Sequence, residues 1–184
     1  MLEVIPTAIP DVLHIKTKSF GDERGYFAET YNKRVFSQSG VSLDFVQDNQ
    51  SLSKLSGTVR GLHFQTEPYA QAKLVRVLKG RILDVAVDMR RSSATFGKHV
   101  AIELGDNSLE QLFVPVGFAH GFCTLEPDTE VLYKVSNFYA PQHDRGVLWN
   151  DPALGIKWPV SAERAVLSEK DSKQPAFREL ENVF

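Results

Sequence analysis

Short runs rich in Val, Ile, Leu and Phe recur along the chain, and turn residues separate them. This pattern predicts an all-β sandwich or barrel. Its clearest instance is Leu74-Val75-Arg76-Val77-Leu78 followed by Ile82-Leu83-Asp84-Val85-Ala86-Val87. Lys79-Gly80 divides these two runs, and the glycine is free to take a positive φ there. Further strands are expected at 99–104, 111–114, 121–125 and 131–136. Helical signal is thin, with short candidates at 32–39 and 161–166. Phe20-Gly21-Asp22-Glu23-Arg24-Gly25 reads as a glycine-bracketed turn that leads into a strand at 26–29. From Ala140 onward the chain is rich in Pro, Trp and Asp, which predicts ordered loops wrapped around the sandwich. No repeat, low-complexity tract or composition break marks a linker, so one domain over 1–184 is expected.

Composition narrows the function classes. Hydrophobic residues make up 42% and charged residues 24% of the 184 positions, as in ordinary globular proteins. A formal net charge of −2 gives no electrostatic reason to expect nucleic acid or an anionic membrane as partner. Anionic ligands would have to be held by local Arg and Lys clusters. Cys123 is the only cysteine, which excludes an intrachain disulfide and a multi-Cys zinc site. No run approaches the length of a membrane span, and the N-terminus lacks the basic and apolar regions of a signal peptide, so a cytoplasmic location is expected.

The candidate chemistry centres on Arg60-Gly61-Leu62-His63-Phe64-Gln65 and, after a short loop, Lys73-Leu74-Val75-Arg76. A neutral imidazole at His63 is suited to accept a proton, and equally suited to be a core histidine satisfied by a carbonyl. As a base it needs a carboxylate partner, and spacing cannot choose one among 23 acidic residues. Strict strand alternation puts Arg60 and His63 on opposite faces, unless Gly61 marks a bulge. Lys73 at a strand start is either a solvated gatekeeper or a cation beside a developing enolate. Tyr133 is either an amphipathic core residue or a proton donor. Arg24, Arg60, Lys73, Arg76 and Lys170 are anion-binding candidates, and Tyr26, Phe27 and Tyr139 could stack on a ring.

The segment Pro115-Val116-Gly117-Phe118-Ala119-His120-Gly121-Phe122 is similar to the second motif of the cupin superfamily, whose members are double-stranded β-helix jelly rolls. In metal-dependent cupins that histidine is a ligand, joined by an H-x-H pair and an acidic residue. Here His14, His63, His99, His120 and His143 are scattered and form no H-x-H, so a metal-free site is expected, with His120 a substrate contact or a support.

Collinear motifs over nearly the whole chain then resemble the dTDP-4-dehydrorhamnose 3,5-epimerase family. They include Ala8-Ile9-Pro10-Asp11-Val12, Phe45-Val46-Gln47-Asp48-Asn49-Gln50-Ser51, Asp84-Val85-Ala86-Val87-Asp88, Leu132-Tyr133-Lys134, Tyr139-Ala140-Pro141, Trp149-Asn150-Asp151-Pro152 and Leu167-Ser168-Glu169-Lys170-Asp171, beside the segments above. The resemblance implies a cupin-type jelly roll with a few short helices and long ordered loops. It implies an isomerase of dTDP-L-rhamnose biosynthesis, acting on a dTDP-4-keto-6-deoxyhexose without cofactor or metal, as a homodimer. By resemblance His63 is the general base, Asp171 its carboxylate, Tyr133 the general acid and Lys73 the cation beside the sugar C4 oxygen. Arg24, Phe27, Glu29, Gln47, Asp48, Asn49, Arg60, His120, Tyr139, Asp144 and Lys170 match positions that contact or border the nucleotide-sugar, and the stretch from Arg24 to Glu29 is expected to serve the neighbouring subunit's site. Three positions depart from the pattern: Gln50 where His is common, Ala72 where Gly is frequent, and Asp144 where Glu is usual. The competing readings are an epimerase of one centre only, and a non-catalytic or metal-dependent cupin.

Overall fold

The structure, a computed structural model, describes residues 2–181 and 184. Two antiparallel sheets face each other. In chain order the strands are β1 (Leu2–Ile5), β2 (Leu13–Thr17), β3 (Ser19–Asp22), β4 (Gly25–Ala28), β5 (Gln47–Ser53), β6 (Val59–Gln65), β7 (Lys73–Lys79), β8 (Arg81–Asp88), β9 (His99–Gly105), β10 (Glu110–Val114), β11 (Phe118–Thr124), β12 (Thr129–Val135) and β13 (Asp144–Gly146). The first sheet has the order β1-β2-β10-β7-β12-β5 and the second β13-β6-β11-β8-β9, while β3 and β4 form a separate hairpin.

Apolar layers lie on both faces of each sheet. Between the sheets pack Val75, Val77, Ile82, Leu104, Phe118 and Val131. Beneath the second sheet, Leu62, Phe64, Val85 and Val87 meet Val147, Leu154 and Trp158 of the C-terminal loops. Outside the first sheet, Ile15, Leu74 and Phe113 are covered by Phe36 and Val41. Strands buried on two sides need apolar residues at consecutive positions, which is why β7 and β8 read as runs rather than alternations.

The predicted strands at 74–78, 82–87, 99–104, 111–114 and 131–136 are present, and β11 begins three residues before the expected 121. The turn expected at Lys79-Gly80 is present, and it carries the chain from one sheet to the other, since β7 and β8 do not pair with each other. Gly80 turns the corner between them with φ +80°, and a Cβ there would lie 2.5 Å from Thr129 Oγ1. The short helix α1 (Lys33–Gln38) falls where 32–39 predicted it, capped by the Asn32 side chain on the N–H groups of Arg34 and Val35. Residues 161–166 form no helix; they turn so that Val166 bridges Thr58 in parallel. The C-terminal loops do wrap the second sheet. Asp151 pins them by accepting from the N–H groups of Ala153 (2.8 Å) and Phe177 (2.6 Å). They also carry a one-turn helix, α2 (Glu169–Ser172), that the sequence pattern did not reveal.

Candidate active site

Where β6 lies against β11, the register passes from His120↔His63 to Phe122↔Arg60, so β6 holds one residue more than its partner. This is the bulge that the spacing of Arg60 and His63 required. It sits at Gly61, with φ +127°. The two strands touch there, since a Cβ on Gly61 would lie 2.5 Å from Gly121 Cα and 2.8 Å from the His120 oxygen. Leu62 and Phe64 consequently pack in the layer beneath the sheet, while Arg60 and His63 both line a cavity between the sheets.

Two adjoining cavities share His63, Lys73 and Tyr133. The inner one, about 150 Å³, is completed by Ser51, Arg60, His120 and Phe122. The outer one, about 240 Å³, adds Gln47, Asn49, Gln65, Gln71, Tyr139 and Asp144. His63 reaches them from the second sheet, Lys73 and Tyr133 from the first.

Behind His63 stands Asp171, 3% exposed, with Oδ1 2.5 Å from the imidazole Nε2. Helix α2 holds it, and the Asp171 N–H donates to Ser168 Oγ at 3.1 Å. Burial alone would raise the carboxyl, but the hydrogen bond and charge of His63, then Ser168 and Lys170, outweigh it and hold Asp171 below the usual carboxylate range. An ionised acceptor on Nε2 places the proton on that nitrogen, and leaves Nδ1 of the neutral ring as the basic atom.

Lys73 is 8% exposed, and its ammonium donates to the main-chain oxygen of His63 at 3.2 Å. Burial pushes it down to about 8, against the pull of Asp144 and Asp84. It remains mostly charged at neutral pH. Burial likewise raises the Tyr133 phenol, which keeps its proton as a potential donor. His120 is 5% exposed and bonded through Nε2 to Asp84 Oδ1 at 2.6 Å, and burial lowers it, so that ring is neutral. Asp84 Oδ2 and Ser51 Oγ are buried without a partner among the described residues.

At the outer mouth, Asp144 Oδ2 accepts from Tyr139 Oη (3.1 Å) and is paired with Lys170. Gln47 and Asn49 pair with each other at 2.8 Å. Arg60 is braced by Ser53 Oγ and the Leu52 oxygen, both at 3.1 Å.

Of the residues singled out in the sequence, the structure thus gathers His63, Lys73, Tyr133, Asp171, Gln47, Asn49, Arg60, His120, Tyr139, Asp144 and Lys170 in or against one cleft. Asp48 points the other way, alternating with Gln47 and Asn49, and pairs with Lys134 at 2.9 Å. Gln50 shares that outer face and bonds to Glu130 at 2.8 Å, so its departure from histidine leaves the cleft of this chain unchanged. Arg24, Phe27 and Glu29 line neither cavity; Arg24 pairs with Asp22 on the exposed β3–β4 hairpin. Sequence reasoning did not single out Asp84 or Gln65 as site residues. The one legible signal was a carboxylate at Asp84 between the apolar neighbours Leu83 and Val85. Among the described residues, no three His, Cys, Asp or Glu side chains cluster as a metal site.

Residues 6–179 match the family model described as dTDP-4-dehydrorhamnose 3,5-epimerase. The enzyme of that name from Shigella flexneri is 52% identical over 177 residues, 96% of this chain and 96% of its own. The crystal structure from Bacillus anthracis, with TDP and PPi bound, superposes with TM-score 0.93 at 49% identity, over 96% of this chain and 99% of that one. The epimerase of Legionella pneumophila in complex with dTDP-4-keto-L-rhamnose gives TM-score 0.94 at 38% identity, over 98% and 95%. The fold is the cupin-type jelly roll these structures share, and the chain belongs to the dTDP-4-dehydrorhamnose 3,5-epimerase family.

Proposed function

We propose that this chain inverts C3 and C5 of a dTDP-4-keto-6-deoxyhexose, with His63 as base, Tyr133 as acid and Lys73 stabilising the enolate. The supporting observation is that His63 and Tyr133 enter one cleft from opposing sheets. Inversion through an enolate needs a proton removed from one face and returned to the other. Both carbons are α to the C4 carbonyl, so the same base and the same enolate oxygen serve each centre. His63 Nδ1 accepts the proton, Asp171 steadies the resulting imidazolium, and the Lys73 ammonium faces the charge that gathers on O4. A preorganised donor of that kind is typically worth about 3–4 kcal/mol of transition-state stabilisation.

Tyr139, Asp144, Lys170, Gln47 and Asn49 form the mouth through which the nucleotide part would be held, and Arg60 with His120 borders the hexose. The β3–β4 hairpin carries Phe20, Tyr26 and Phe27 at 57%, 65% and 71% exposure, a surface suited to a second copy of the chain. A homodimer would cover it and could carry Arg24, Phe27 and Glu29 toward a neighbour's cleft. Incubation with dTDP-4-keto-6-deoxyglucose in deuterated water, read by product NMR, tests the activity. Solvent deuterium at both C3 and C5 is expected; deuterium at one carbon only would make this a single-centre epimerase.

A further inference from the structure

Two glutamines, one from each sheet, grip the main chain around Tyr139. Gln47 on β5 accepts from the Tyr139 N–H through Oε1, at 3.4 Å. Gln65 on β6 is 3% exposed, and its amide makes three bonds. Nε2 donates to the main-chain oxygens of Tyr69 (2.6 Å) and Phe138 (3.1 Å), and Oε1 accepts from the Ala140 N–H (2.8 Å). These partners fix which way the amide faces, because a carbonyl can only accept and an N–H can only donate. The residues before and after Tyr139 are therefore held by one side chain. That side chain stands two positions from His63 on the same strand.

The Tyr139 ring has little else to place it. The residue is 57% exposed, and its hydroxyl bond to Asp144 restrains only the tip. A loop that must be ordered when ligand arrives binds more weakly than one already in position. His63, Lys73 and Tyr133, by contrast, sit on β6, β7 and β12 and are braced without the amide.

We infer that Gln65 is a positioning residue that fixes Tyr139 for binding the nucleotide ring and leaves proton transfer to the strands. This rests on the reading above in which Tyr139 borders the nucleotide. Gln65→Met keeps the bulk and loses all three bonds. Gln65→Glu keeps an acceptor for Ala140 and turns carboxylate oxygen toward two carbonyls, giving a second variant should the first fold poorly.

Steady-state kinetics should show KM raised about tenfold in both variants, with kcat within about twofold. Adding Gln65→Met to Tyr139→Ala should change KM by less than about twofold, since both act through one ring. A fall in kcat at unchanged KM, or KM effects that multiply in the double variant, would overturn the inference. Amide hydrogen exchange gives a readout independent of substrate. Exchange at 138–140 should rise in Gln65→Met while β11 stays protected, and unchanged protection at 138–140 would also sink the clamp. If the wild-type chain proves inert toward the dTDP-sugar, the functional reading fails, and the exchange data still report on Gln65.

Discussion

The Lys73 ammonium donates to the main-chain oxygen of His63, 3.2 Å away, and so links the proposed enolate-stabilising cation to the strand that carries the proposed base. The bond crosses from one sheet to the other. It ties the ammonium to the main chain of the residue that carries the imidazole.

Because burial brings Lys73 to about 8, the ammonium is lost just above neutrality. The pH profile of kcat/KM should therefore fall through a single deprotonation near that value. Lys73→Arg, whose guanidinium stays charged, should react more slowly but lose this alkaline limb. A limb that persists unchanged in the arginine variant would assign it to another group.

The same burial sets a cost in stability. Lys73 lies below its value in the unfolded chain, so the unfolded state holds the proton more tightly. The cost that Lys73 imposes on wild-type stability should shrink as pH climbs from about 8 to 10.5. Lys73→Met should abolish turnover yet be more stable at pH 7, by up to about 3 kcal/mol. Denaturant unfolding across that range checks whether the gap between the two proteins narrows as pH rises.

Asp171→Asn keeps the shape beside His63 and removes the charge proposed to orient and support its imidazolium. Both kcat and solvent exchange should fall about 10²–10⁴-fold, with binding of dTDP little changed. Calorimetric titration with dTDP separates this from a general collapse of the cleft.

Tyr133→Phe should uncouple the two halves of the reaction. Proton abstraction by the proposed base, His63, should survive, so deuterium exchange should be retained better than net inversion. Equal losses in both would count against the donor role.

Away from the cleft, Asp88 is fully buried and accepts from the Arg90 guanidinium at 2.8 and 2.9 Å, from the Arg90 main-chain N–H at 2.9 Å, and from Ser93 and Thr95. Burial opposes ionisation, but these partners prevail and bring the carboxyl to about 2. Its contribution is present above about 3.8 and is lost as pH falls through about 2. Asp88→Asn should destabilise the chain by about 2 kcal/mol at pH 7, with a difference that shrinks in acid. Thermal unfolding at pH 7 and pH 2.5 is the check.

How much could be read from the chain depended on what each strand buries. β7 and β8 were plain because apolar layers cover both their faces. β5, Gln47-Asp48-Asn49-Gln50-Ser51-Leu52-Ser53, was invisible to the hydrophobic pattern because its inner face is the polar wall of the cleft. Asp171 lies 108 residues from His63, and only resemblance to a family singled it out among the acidic residues. Gln65 gave no local sign, since its three partners are main-chain atoms and leave no trace in side-chain chemistry. The bulge could be demanded from spacing, but the close approach of Gly121 that shapes it could not.

Because Gly61 and Gly121 touch where β6 carries its extra residue, a substitution there should extinguish activity without altering any of the proposed reacting groups. A methyl on Gly61 would lie 2.5 Å from the opposing Cα, so the strands must part or the extra residue must be expelled. Expelling it would exchange the faces of the residues beyond, turning the imidazole into the greasy layer and Leu62 toward the sugar. Such a chain could still assemble its sandwich and would be a binding shell with no base. The line between enzyme and inert relative in this fold can be as thin as one hydrogen atom on each of two facing α-carbons.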